Sequence, residues 1–145
     1  MIPINDIIEN MNIIDDIEDR YHYLIELGKK LPPFPKEYMI DENIISACVS
    51  KLWMVTYLEN KKKQDPIMVL YAFSDSQIVC GILYIIRSIY ANKSISEILK
   101  IDSLEILQRI GLTEYLSQKR INGLHTVIHK IQYFIKEYSD SYLKK

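Results

Sequence analysis

Few side chains in this sequence can do covalent or metal chemistry, and two cysteines lead them. Cys48 stands in Asn43-Ile-Ile-Ser-Ala-Cys-Val-Ser50, between a proline-rich stop and a stretch with strand character. A thiol on a loop held by rigid neighbours suits a nucleophile, because the thiolate needs access to its partner. The competing reading is a small buried hydrophobe, and on spacing alone both stand. No adjacent His or Asp builds a Cys–His pair, so a protease-like nucleophile is poorly supported. Cys80 lies in the apolar stretch 78–86, where it shares a helical face with Leu83, Tyr84 and Arg87. There a half-buried filler is the preferred reading. The two thiols are far apart, lack a Cys-x-x-Cys, and are not expected to pair in a reducing compartment. His22, His125 and His129 do not complete a zinc set. The last two are one helical turn apart without a third ligand and read as exposed helix histidines.

Other chemistries fail on composition. Four glycines leave no phosphate-cradling loop. Lys61-Lys-Lys63 reads as a solvated hairpin tip, and 11 tyrosines spread over every element do not form a base-stacking platform. Lys and Arg number 18 against 19 Asp and Glu, net −1, so the basic excess of a nucleic-acid binder is missing. The apolar run 78–86 is too short to cross a bilayer. Met1-Ile-Pro-Ile-Asn-Asp6 lacks the basic start of a secretory signal, so a cytoplasmic location is expected. A chain of 145 residues, 48% apolar and 26% charged, is a single globular domain over 1–145 with no disulfide requirement. The 26 Ile against 3 Ala suggest AT-rich coding, so some Ile, Lys and Asn identities reflect drift.

Periodicity divides the chain into three regions. Apolar residues at three- and four-residue intervals predict a short helix through Ile7, Ile8, Met11 and Ile14, then a second from Ile17 through Leu24, Ile25 and Leu31. Asp15 and Asp16 suit the second helix's N-terminal dipole, Gly28-Lys-Lys30 its frayed end, and Leu31-Pro-Pro-Phe-Pro35 a firm stop. Residues 36–50 have no period and read as an ordered loop. Residues 51–59 and 66–73 read as strands around the polar turn 60–65, an antiparallel hairpin that must pack on helices. Ser74-Asp75-Ser76 carries capping chemistry, with Asp75 the simplest N-cap, ahead of an almost wholly apolar helix to about Ala91 expected at the core's centre. Ser94-x-x-Glu97 is a capping box. Short helices over 95–100 and 103–110, and a long amphipathic helix over 117–142, complete an α+β fold with a small antiparallel sheet against a helical bundle.

Four blocks, in order, resemble the SufE family. Tyr23-Leu-Ile-Glu-Leu-Gly-Lys-Lys-Leu-Pro32 is similar to that family's Y-x-x-I-x-L-G-x-x-L-P. Asn43 to Trp53 resembles N-x-[IV]-x-G-C-x-S-x-[VL]-W, and Ser74 to Gly81 resembles S-D-[AS]-x-[IL]-V-K-G. Arg120-Ile-Asn-Gly-Leu124 is similar to R-x-x-G-[LM]. Two positions depart: Ala47 replaces the usual Gly before the cysteine, so an ordinary backbone conformation must serve there. Cys80 replaces a common lysine, which fits a partly exposed site.

The resemblance implies a SufE/IscU-like fold and a sulfur acceptor and activator for a PLP-dependent cysteine desulfurase. Cys48 would carry the sulfane sulfur as a persulfide and pass it to the SufBCD scaffold. No stand-alone reaction and no cofactor are implied, the PLP belonging to the SufS-like partner. Arg120 and Lys51 would supply positive charge near the thiolate. Trp53 and the 78–86 helix are candidates to line a sheltering pocket, with plain core the equal reading for Trp53. Asp75 has partner contact as its second role. Binding of nucleic acid or membrane is not expected, and a homodimer is left open, as is a CsdE-type partner preference. The alternatives are an IscU-type iron–sulfur scaffold, which needs about three cysteines or equivalent ligands, and an adaptor whose cysteine is incidental. A hydrolase is more distant still.

Overall fold

The computed structural model describes residues 1–46, 50–59, 65–114 and 116–143, the side chains of 141–143 excepted. Among the described residues, six helices and one two-stranded antiparallel sheet give an α+β fold. Helices α1 (Ile4–Ile13) and α2 (Ile17–Gly28) come first, followed by 3₁₀ turns at Lys36–Tyr38 and Asp41–Asn43 within the expected loop. The strands β1 (Leu52–Glu59) and β2 (Ile67–Ser74) pair from Leu52↔Ser74 to Glu59↔Ile67. Then come α3 (Gln77–Tyr90), α4 (Ile95–Leu99), α5 (Ser103–Ile110) and the long α6 (Gln118–Leu143).

Local chemistry sets the helix ends. Asp16 Oδ1 accepts from Glu18 N–H at 2.7 Å and starts α2. The Ser94–Glu97 capping box closes in both directions at α4, and Gly111 ends α5 in the left-handed region at φ 78°. At α3 the cap is Ser76, whose hydroxyl accepts from Val79 N–H. This corrects the expectation for Asp75. Ser74 is the last residue of β2, so the extended chain runs two residues further before it can turn, and the cap passes to Ser76. The last turn of α3 is held by Lys93, whose Nζ donates to the carbonyls of Ser88 and Ile89.

Helix α3 lies at the centre, buried from Val79 to Tyr90, as its apolar circumference requires. It meets α2 at two glycines. A Cβ built on Gly81 would stand 2.1 Å from the Leu24 carbonyl oxygen, and one on Gly28 would stand 2.8 Å from the Cys80 Cβ. The backbones thus approach closer than any side chain permits. The inner face of the hairpin contributes Leu52, Leu58, Met68, Leu70 and Ala72 to the same core, and α6 closes it with Leu124, Val127, Ile128, Ile131 and Ile135. No helix among the described residues is long and apolar enough to cross a membrane.

Candidate functional site

The loop expected to carry the chemistry leaves the fold at a defined place. Ile45 N–H donates to the Leu52 carbonyl at 2.8 Å, and Ile44 bridges to Trp53. The linking segment 46–51, the closure, therefore has its two flanks, Ile45 and Leu52, pinned together at the start of β1. Ala47, Cys48 and Val49 lie outside the described residues, as does the expected hairpin tip 60–64.

Against these two flanking residues is a cavity of about 20 Å³, room for about one water-sized atom. Its walls are Ile45 and Leu52 at the two ends of the closure, Val79, Ile82, Leu83 and Ile86 on α3, and Gly123, Leu124 and Val127 on α6. One charged residue joins them, Arg120 in the first turn of α6. The i, i+3, i+4 spacing 79, 82, 83, 86 puts one stripe of α3 on the cavity, and 120, 123, 124, 127 does the same for α6. At Gly123 no side chain fills the space between them. An apolar chamber with a single guanidinium suits a soft, polarisable anion that must be kept from bulk water.

The remaining candidates fall elsewhere. Lys51 is exposed, and its carbonyl, not its ammonium, has the described contacts: it accepts from Ser74 Oγ at 2.7 Å and from Asp75 N–H at 3.3 Å. Those two bonds bring the end of the closure against the β2–α3 turn, so Lys51 and Asp75 sit side by side at the surface. Trp53 is not among the residues lining the cavity. The two-residue alternation of β1 turns it to the opposite face from Leu52, where its ring stacks on Phe73 with centroids 6.2 Å apart. Sequence reasoning singled out the α3 stretch and Arg120, but not Gly123, Leu124 and Val127 of the α6 wall. The signal was there in Arg120-x-x-Gly-Leu124, whose spacing makes one helical face.

Cys80 is only 8% exposed, not partly exposed as its lysine-like position suggested. Its thiol donates to the Ser74 carbonyl at 3.1 Å, and burial pushes its pKa up. The Gly28 contact explains why a small side chain stands there. Among the described residues, no group of three or more His, Cys, Asp or Glu converges as metal ligands would.

Fold and chamber together define a class: a two-stranded sheet packed on a central helix, with a small apolar cavity between that helix, α6 and the start of β1. The family model described as "SufE: Fe-S metabolism associated domain" matches residues 5–135. The chain belongs to the SufE family. An uncharacterised SufE-like protein of Rhizobium meliloti (strain 1021) is 40% identical over 132 residues, spanning 91% of this chain and 94% of that protein. The cysteine desulfuration protein SufE of Wigglesworthia glossinidia brevipalpis is 35% identical over 120 residues, 83% of this chain and 81% of its own. The solution structure of a hypothetical protein from Thermus thermophilus superposes with a TM-score of 0.71 at 18% identity, covering 94% of this chain and 97% of that one. That likeness speaks for the fold.

Proposed function

We propose that this protein is a sulfur acceptor for a PLP-dependent cysteine desulfurase of the SufS kind and delivers the sulfur to an iron–sulfur scaffold of the SufBCD kind. It works in the reducing cytoplasm, and the PLP stays with the partner. The Cys48 thiolate attacks the terminal sulfur of the donor's persulfide. A new S–S bond forms at Cys48, the donor's S–S bond breaks, and the donor cysteine leaves as thiolate and recovers the proton Cys48 gave up. The transferred atom stays zero-valent throughout, so no outside oxidant or reductant is required.

The observation that carries this reading is the one-atom chamber walled by Ile45 and Leu52, the residues that flank the Cys48 closure. Three residues of chain reach at most about 11 Å, so the tether from Ile45 keeps position 48 within range of the chamber. The apolar walls would shelter a persulfide from water and soluble thiols, and Arg120, which also lines the chamber, is a cation close to it. Lys51 and Asp75, exposed at the edge of the closure, meet the partner.

Radiolabelled cysteine offered to a desulfurase in the presence of this protein tests the reading. Label should appear on this chain in a form released by dithiothreitol, and Cys48→Ser should carry none. Equal labelling of Cys48→Ser would defeat the proposal. Full stimulation of the desulfurase by that variant would assign the protein to the adaptor class instead.

A further inference from the structure

On the side of α3 away from the chamber, the start of α1 and the end of α2 border a cleft, and none of its lining residues belongs to the chamber. Its floor holds Arg87, which α3 carries into the molecule and leaves only 9% exposed. Arg87 Nε donates to the Leu70 carbonyl at 2.8 Å, which fixes the guanidinium plane. The outer nitrogen Nη1 meets the Met1 sulfur at 3.9 Å. A thioether is a weak acceptor, so this donor of a buried cation is poorly satisfied. Among the described residues no carboxylate stands within ion-pair distance of Arg87, although buried arginines are normally paired. The other charges lining the cleft are the Met1 α-ammonium, Lys30 and Asp6, so cations prevail around the guanidinium. Met1 is nevertheless open to small solutes at 59% exposed, whereas Met11 and Met68 are fully buried. The next residue is tied to the same helix, the Ile2 N–H donating to the Tyr84 hydroxyl at 2.9 Å.

We propose that Met1 is a site of reversible peroxide modification, and that its sulfoxide oxygen, held by the Arg87 guanidinium, fastens the Met1–Ile2 segment to α3. The thioether sulfur attacks one oxygen of hydrogen peroxide. An S–O bond forms, the O–O bond breaks, and the departing oxygen takes up the proton and leaves as water. Sulfur gives up two electrons and the peroxide gains them. The added oxygen stands one bond beyond a sulfur that is already 3.9 Å from Nη1, which brings a strong acceptor into the ~2.9 Å range of an N–H···O bond. The rotatable bonds of the methionine side chain let either sulfoxide epimer turn its oxygen to the donor. The new bond is charge-assisted on the arginine side and adds no net charge, so the balance of Met1 ammonium, Lys30 and Asp6 does not oppose it. Methionine sulfoxide reductases return the thioether and release the segment. The device uses Met1, Ile2, Tyr84 and Arg87, and it stands or falls separately from Cys48 chemistry.

Dilute hydrogen peroxide tests the proposal, applied to the Cys48→Ser chain so that oxidation of that thiol does not intrude. Peptide mapping reads sulfoxide at Met1 and at Met39, which is 42% exposed and lies outside the cleft, and NMR reads the consequence. Oxidation of Met1 should slow hydrogen exchange of the Ile2 amide about tenfold, the worth of a charge-assisted hydrogen bond. It should also separate the Arg87 Nη protons into resolved signals, because the new bond hinders their rotation. A methionine sulfoxide reductase with dithiothreitol should reverse both effects. Adding Met39→Leu should leave both effects in place, and Arg87→Gln should be oxidised at Met1 without slower Ile2 exchange. Should Arg87→Gln not fold, the Nη signals of the chain that keeps Arg87 decide. Absence of sulfoxide at Met1, Ile2 exchange unchanged or faster on oxidation, Nη protons that stay averaged, or equal slowing in Arg87→Gln would each overturn the proposal.

Discussion

Cys80 is a packed thiol. Its Sγ is bonded to the Ser74 carbonyl and its Cβ abuts Gly28, so the neutral form is favoured. Iodoacetamide at neutral pH should leave Cys80 unmodified in the native protein and label it after denaturation, as peptide mapping will read. The sign follows from a folded-state pKa above that of the unfolded thiol: the stabilisation is fully present below the unfolded value and is lost as pH rises through the folded one. Native labelling as fast as in the unfolded chain would contradict this. Arg120 is the residue expected to act on transfer. Arg120→Met should slow sulfur transfer about tenfold, the worth of a charge-assisted contact, with Arg120→Lys restoring part of the rate. An unchanged rate in Arg120→Met would reduce Arg120 to a packing role.

The elements owe their ends to short polar signals and their mutual placement to glycine. Asp16 and Ser94 act where the sequence marked helix starts, and Gly111 ends α5 in the left-handed region. The α3 cap was misassigned because Ser74, Asp75 and Ser76 have equal capping chemistry. Which one caps depends on where β2 ends, and that is fixed by pairing with Leu52 across the sheet. Ser76→Ala should therefore cost about 1 kcal/mol in denaturant unfolding, and Asp75→Ala close to nothing. A larger loss for Asp75→Ala would restore the original assignment. The α2–α3 crossing was legible only in part: Gly28 and Gly81 appear in the family blocks, yet nothing local says that one faces Cys80 and the other the Leu24 carbonyl. Gly81→Ala should destabilise by about 3 kcal/mol, because its methyl meets backbone that cannot turn aside. A loss below about 1 kcal/mol would mean that the crossing yields.

For the molecule as a whole, the amphipathic periods of the helices and the two β-rich runs were enough for the α+β architecture, since each face must find the one core. The chamber was not legible in the same way. Its walls come from 45 and 52, from α3 and from α6, and a long-range meeting of helix faces leaves no local pattern. Trp53 shows the limit well: an aromatic beside the functional block invites a place in the pocket, but the alternation of β1 sends it to Phe73 on the other face. The proposed function gives Cys48 one task, to hold a single sulfur atom that the apolar chamber can shelter. Intact-protein mass spectrometry after incubation with a cysteine desulfurase and cysteine reads that task most directly. A sulfur acceptor of this design should gain about 32 Da, one sulfur, located on the peptide containing Cys48 and absent in Cys48→Ser but kept in Cys80→Ser. A gain that survives Cys48→Ser, or one that maps to Cys80, would contradict it.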